Sequence, residues 1–176
     1  MRAPIEIRRL KRADLAAVNA LYNHYVLKTH FTFDVEALSL EKRQDWFNGF
    51  TAQGPYQCFV AVEGGAIQGY ACSGLLKPKA AYATSVETSV YLAKGVHRRG
   101  LGRQLYEALF AALEKTPVHR AYAIIALPNP TSERFHTHMG FVQAGHYHEV
   151  GRKFGRYWDV KWYEKTLSAE LRHMAT

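Results

Sequence analysis

The sequence predicts a single α+β domain built on a central mixed, mostly antiparallel twisted sheet flanked by about four helices. Three observations carry that prediction. The chain has 176 residues, 48% of them hydrophobic and 13% aromatic, which is enough apolar surface for one sizeable core and too little chain for two. Stretches with the period-2 alternation of strands are interleaved with stretches of helical spacing, so neither element type dominates. No internal repeat, low-complexity run or linker interrupts the pattern, and residues 1–176 are read as one domain.

Ile5-Glu6-Ile7-Arg8 alternates as a half-buried strand does. Asp14 then has the chemistry of an N-cap for a helix with Leu15, Val18, Leu21, Tyr22 and Tyr25 on one side. Ser39 is placed to cap a second helix, with Leu40, Phe47 and Phe50 expected on its buried side. Gln57 to Val62 and Ala66 to Cys72 flank Gly64-Gly65, a dipeptide free to adopt positive φ, and read as an antiparallel hairpin. Val86 to Ala93 is a fourth strand, followed by a glycine-containing loop and a helix through Leu105, Leu109 and Leu113. Ala121 to Leu127 is nearly continuously apolar, as expected of a strand covered on both faces. Asn129-Pro130 opens a short helix that ends at Gly140. Two arms, roughly 142–150 and 157–165, close the chain as a hairpin turning around 151–155.

The net charge of +8 suits an anionic partner, either nucleic acid or a phosphate-rich cofactor. The basic residues fall in short groups without one long tract, and the aromatic-plus-basic signatures of RNA modules are absent, so no nucleic acid is expected. No apolar run approaches the roughly 20 residues that cross a bilayer, and the first residues lack the apolar stretch of a signal peptide. The expectation is a cytoplasmic protein without a membrane partner. Cys58 and Cys72, the two cysteines, make neither a metal set nor a disulfide framework. Both read as core, and no metal is expected.

His97-Arg98-Arg99-Gly100-Leu101-Gly102-Arg103 lies between a strand and an amphipathic helix. Two glycines let the backbone approach a ligand there, and the first helical N–H groups are unpaired, which makes an anion site. A pyrophosphate would take hydrogen bonds from those N–H groups, with Arg98, Arg99 and Arg103 adding charge. The pattern is neither a Walker loop nor a dinucleotide fingerprint, which need a Gly-Lys-Ser/Thr ending or three spaced glycines. A tight turn is the alternative reading of a Gly-x-Gly alone.

The segment resembles motif A of the GNAT acetyltransferases, Gln/Arg-x-x-Gly-x-Gly/Ala, with Gly100 and Gly102 on the motif's glycines and His97 in place of its first residue. Asn129 to Phe141 resembles motif B, which opens on Asn and ends on Gly-Phe. Thr84 to Leu92 is similar to a Thr-Val-Glu-x-Ser-Val-Tyr-Val strand, and 151–159 to Gly-x-Lys-Phe-Gly-Arg-Trp-x-Asp. With Tyr22-Asn23-His24-Tyr25-Val26 in the first helix, the resemblance spans about residues 5–167 and points to the phosphinothricin and methionine sulfoximine acetyltransferase branch.

The resemblance implies a GNAT-like domain that transfers acetyl from acetyl-CoA to a small-molecule amine, and it implies a homodimer. The acetyl-CoA site would comprise Arg98 to Arg103, Asn129 and Ser132, with main-chain N–H groups at Val90, Tyr91 and Leu92 holding the thioester carbonyl. Glu87, on a strand of Val, Thr, Ser and Tyr, would have a raised pKa and take the ammonium proton. A solvent-facing carboxylate, or a partner for Lys77 or Lys79, is the alternative. His136 would protonate the departing thiolate, unless it is a helix-surface histidine. Lys77 and Lys79 would meet the acid group of the substrate where relatives carry Arg. Tyr82, Ser85 and Val86 extend that side, and Phe31, Thr32 and Phe33 match a second substrate loop, although both rings could be core. A GNAT enzyme acting on an antibiotic, a polyamine or a protein N-terminus fits motifs A and B equally well. A catalytically idle acyl-CoA or nucleic-acid-binding module is disfavoured by the presence of Glu87.

Overall fold

The computed structural model describes residues 3–96 and 100–167. Seven strands, β1 (Ile5–Arg9), β2 (Cys58–Glu63), β3 (Ala66–Leu75), β4 (Ser85–Leu92), β5 (Arg120–Ala126), β6 (Val142–Lys153) and β7 (Arg156–Thr166), form one sheet of order β1-β2-β3-β4-β5-β7-β6. Every neighbouring pair is antiparallel except β4 and β5, which run parallel. Among the described residues there are also four α-helices, α1 (Leu15–Lys28), α2 (Leu40–Asn48), α3 (Leu101–Leu113) and α4 (Pro130–His138). The mixed, mostly antiparallel α+β architecture is therefore the one expected.

Gly64 and Gly65 turn the β2–β3 hairpin at φ values of 57° and 81°, the pair of left-handed residues that a tight two-residue hairpin needs. The closing hairpin turns more sharply than its composition suggests. Lys153 pairs with Arg156, leaving only Phe154 and Gly155 in the turn, at φ 52° and 76°. Gly151, Arg152 and Lys153 thus belong to β6, because their partners Trp158, Tyr157 and Arg156 continue the ladder.

Two expectations in the first half are corrected. Asp14 stands at the N-cap position of α1 but makes no side-chain cap bond. Its carboxylate instead takes a bidentate pair from Arg8, at 2.7 and 2.8 Å, and the Lys11 N–H at 2.8 Å. In α2, Leu40 is 57% exposed, and the residue that goes inside is Arg43, 2% exposed. Its guanidinium lies between the Tyr22 and Trp46 rings, and its Nε donates to Asn19 Oδ1 at 3.1 Å. Planar cation–aromatic stacking lets the whole side chain be covered.

Strand alternation sends Val86 of β4 and Ala121, Ala123 and Ile125 of β5 to one face, against Leu105, Leu109 and Leu113 of α3. On the other face Val18 of α1 packs with Cys58, Val60 and Tyr70, while Cys72, opposite Cys58, is only half-buried. Parallel pairing of β4 with β5 covers only Ser85–Glu87 against Arg120–Tyr122. Beyond that point the two strands part, and the opening positions the site.

Candidate active site

Where β4 and β5 separate, a cleft of about 690 Å³ is lined by Thr88 to Leu92, by the start of α3 and by Asn129, Ser132, Phe135 and His136. Ala93 N–H bonds back to Gln68 of β3 at 2.8 Å. In an antiparallel ladder both main-chain groups of a residue point the same way, alternating along the strand. Val90 and Leu92 therefore turn their N–H and C=O toward the gap. Leu92 C=O is taken by the Tyr25 hydroxyl at 2.7 Å, which leaves the Leu92 N–H and the main-chain groups of Val90 facing the gap.

The far end of the cleft is the N-terminus of α3. Gly100 is its N-cap, at φ 72° and without a side-chain cap, so the N–H groups of Leu101, Gly102 and Arg103 have no acceptor within the helix. They point into the cleft as a ready anion site. Any Cβ on Gly102 would sit 3.2 Å from Phe135 Cε2, so glycine is what lets α3 close on α4. Arg103 lines the cleft, with its Nε on Glu107 Oε1 at 2.6 Å. Arg98 and Arg99, the other expected cations, lie outside the described residues.

Asn129 caps α4, its Oδ1 accepting from the Ser132 N–H at 3.2 Å. One turn on, His136 is 4% exposed, not a helix-surface residue. Its Nδ1 lies 2.9 Å from the Ser132 carbonyl and its Nε2 3.0 Å from the Tyr106 hydroxyl. A carbonyl can only accept, so Nδ1 carries the proton and Nε2 accepts from Tyr106. Burial pushes the imidazole pKa down to about 4, against a smaller upward pull from the Ser132 carbonyl. His136 is neutral at physiological pH.

Glu87 alternates with Val86 and Thr88, which are buried on the α3 face, and so stands on the opposite face of β4. It pairs with Tyr122 at the last rung before the strands part, two residues before the cleft-lining Ser89. Desolvation alone raises its pKa. Its carboxyl has no ion pair or hydrogen bond among the described residues, so it is not a partner of Lys77 or Lys79. Val86, fully buried against α3, can offer a ligand only its main chain.

The loop after α1 closes the mouth. Phe31 lines the cleft. Lys153, 3% exposed, donates from Nζ to the Thr32 carbonyl at 2.7 Å. Phe33 rests on Gly151, and His30 stacks on Trp158 with centroids 3.9 Å apart. The 151–159 motif thus acts as the seat of this loop, and neither phenylalanine is core, at 36% and 37% exposed. Lys77, Lys79 and Tyr82 are on the exposed segment between β3 and β4. Lys77 Nζ lies 5.9 Å above the Trp162 ring, which meets the Tyr122 ring edge-on. Tyr25, Thr88, Thr131 and Phe135 also line the cleft, and Tyr106 holds His136. None was expected there: at helical or alternating spacing, such residues are indistinguishable from ordinary core.

Residues 7–162 match the family model described as an acetyltransferase (GNAT) domain. The phosphinothricin N-acetyltransferase of Streptomyces coelicolor is 50% identical over 167 residues, covering 94% of this chain and 98% of that protein. An L-methionine sulfoximine/L-methionine sulfone acetyltransferase of Pseudomonas paraeruginosa is 34% identical, covering 88% and 90%. Among solved structures, a GNAT superfamily phosphinothricin acetyltransferase from Sinorhizobium meliloti in complex with acetyl-CoA superposes with a TM-score of 0.87. It is 27% identical, with 93% of this chain and 89% of that chain covered.

Proposed function

We propose, for a chain that belongs to the GNAT family and is an acetyl-CoA-dependent N-acetyltransferase, that the acceptor is the α-amine of a small amino-acid-like substrate such as phosphinothricin, methionine sulfoximine or methionine sulfone. The observation that carries the reading is a half-buried carboxyl, Glu87, without ion pair or hydrogen bond among the described residues, at the fork of a cleft with main-chain N–H groups turned into it. The names of the Streptomyces and Pseudomonas relatives support the choice of amine.

In this reading the N–H groups of Leu101, Gly102 and Arg103 hold the pyrophosphate of acetyl-CoA, with Arg98 and Arg99 adding charge. Asn129, its Oδ1 already used in capping, turns its Nδ2 to the pantetheine arm, with Ser132 beside it. Val90 and Leu92, flanking Tyr91, direct main-chain N–H groups at the thioester oxygen, where charge develops. Two protons must leave the substrate ammonium. Glu87 takes the first, directly or through water, and frees the nitrogen lone pair for attack on the carbonyl carbon. The second ends on the thiolate of coenzyme A. His136 lines that side as a neutral ring with both nitrogens engaged, by the Ser132 carbonyl and the Tyr106 hydroxyl, since burial leaves it no imidazolium proton to give.

Lys77 and Lys79 hold the acid group, and Phe31 and Phe33, with Thr32 between them, wall a pocket fitted to a short side chain. Tyr82, Ser85 and the main chain of Val86 complete that side. A lysine offers a point charge where the family resemblance implies a bidentate arginine fork, so the acid group is held less tightly. The enzyme works as a cytoplasmic homodimer in this reading. Support comes from the closing hairpin, where Tyr147, Val150, Phe154 and Tyr157 are each more than half exposed. Of its other rings, Tyr163 is core and Trp158 and Trp162 are half-buried.

A panel of amines presented with acetyl-CoA, reading out free thiol, tests the substrate. Phosphinothricin and the methionine derivatives should turn over fastest, and Lys77→Arg or Lys79→Arg should improve their kcat/KM. Rapid acetylation of a polyamine or aminoglycoside with no amino-acid activity would defeat the substrate assignment.

A further inference from the structure

The cleft chemistry leaves one cluster of ligating side chains unused. His146 and His148 of β6 and Asp159 of β7 bring one ligand atom each to within 4.8 Å of one another, the one such group among the described residues. His146 Nε2 is 2.9 Å and His148 Nδ1 3.2 Å from the same oxygen, Asp159 Oδ2. We propose that these three residues form a site for one divalent transition-metal ion of zinc-like chemistry, on the outer strands of the sheet and apart from the acetyl-transfer cleft.

Two imidazole nitrogens and one carboxylate oxygen are the donor set that such an ion prefers over magnesium or calcium, which favour all-oxygen sites. Ligand atoms about 2.0–2.1 Å from a tetrahedral zinc stand roughly 3.3 Å apart. The two histidine–carboxylate separations need to open by only a few tenths of an ångström to admit the ion, while the two histidine nitrogens, within 4.8 Å of each other, would draw together.

The site is also held in shape. The β6–β7 register shifts between Tyr147 and Gly151, and Glu149 takes a left-handed φ of 51°. Through that irregularity the Glu149 N–H donates to Asp159 Oδ1 at 2.8 Å, which fixes one carboxylate oxygen and leaves the other to the histidines. Such outer hydrogen bonds orient metal ligands. Lys161, across from His146, is held by Glu133 Oε1 at 2.6 Å, so its charge is partly compensated. His148 is 75% exposed in its side chain, which gives an ion access and leaves a fourth position for water.

Calorimetric titration of ZnCl2 into protein without a histidine tag should show one saturable site per chain, while MgCl2 shows none. His146→Ala together with His148→Ala should weaken it by at least the order of 10–100-fold that even an outer-shell change costs. Unchanged acetyl-CoA affinity in the double variant serves as the check on its fold; Asp159 is spared because it also anchors the Glu149 backbone. Absence of saturable zinc binding, or undiminished binding in the folded double variant, would overturn the site.

Discussion

In the proposed mechanism Glu87 is the general base, and its desolvation works against stability. A carboxyl whose pKa is raised by desolvation keeps its proton in the folded state at a pH where the unfolded chain has lost it. Folding stability therefore falls as pH rises through that window. Glu87→Gln should accordingly raise the thermal midpoint at pH 7–8 while lowering kcat by about 10²–10⁴, with acetyl-CoA affinity nearly unchanged. The acid limb of the rate profile should vanish with it. Near wild-type turnover would make the carboxyl structural. His136 has the opposite sign, because its pKa is depressed from 6.5 to about 4. It contributes stability above pH 6.5 that is lost as pH falls toward 4, on the order of 3 kcal/mol in full. Urea unfolding at pH 7 and pH 4.5 should show a smaller difference in His136→Gln than in the wild type. Glu87 was named through the resemblance of Thr84 to Leu92 to a Thr-Val-Glu strand, because composition alone equally allows a solvent-facing carboxylate. The burial of His136 was not, since His136 and His138 share one short helix and only packing decides which goes inside.

Among the elements, strands and helices follow the alternation and spacing of the sequence, and the misreadings come where a polar residue does apolar work. Arg43 replaces Leu40 on the buried side of α2 because two aromatic faces cover its guanidinium. The composition of Gly151, Arg152 and Lys153 predicts a wider turn in the last hairpin than the structure has, because Lys153 is buried as the anchor of the loop after α1. Gly151 tests this connection between distant segments. A Cβ there would overlap the Phe33 ring, and overpacking of this kind costs about 1–3 kcal/mol when the neighbour must shift. Gly151→Ala should therefore displace the substrate loop, raising KM for the amine while leaving KM for acetyl-CoA near its wild-type value. Equal changes in both constants would show that the loop serves the whole cleft. The parting of β4 from β5 was invisible in sequence, because it depends on where pairing stops and not on either strand's composition.

At the scale of the whole molecule, the fork in the sheet joins two half-sites built by different physics. In the proposed reading the cofactor half relies on backbone N–H groups freed by a strand that loses its neighbour and a helix that begins on glycine. A loop acting through backbone N–H groups would tolerate His97 in place of the usual first motif residue. In the same proposed reading the acceptor half relies on side chains from segments far apart in sequence, Phe31, Lys77 and Glu87, which motif resemblance could name but alternation could not bring together. Their common claim is that acetyl-CoA lies in the fork with its pyrophosphate on the start of α3. Gly100 bears most of that claim, because its φ of 72° is a conformation that a β-branched residue rarely adopts, and no neighbour stands closer than 3.9 Å to a Cβ placed there. A valine would alter the loop through backbone strain and not through a clash in the core. The most direct measurement is calorimetric titration of acetyl-CoA into the wild type and Gly100→Val, with circular dichroism confirming that both are folded. The expected result is binding to the wild type and none detectable in the variant; unchanged affinity in a folded Gly100→Val protein would contradict it.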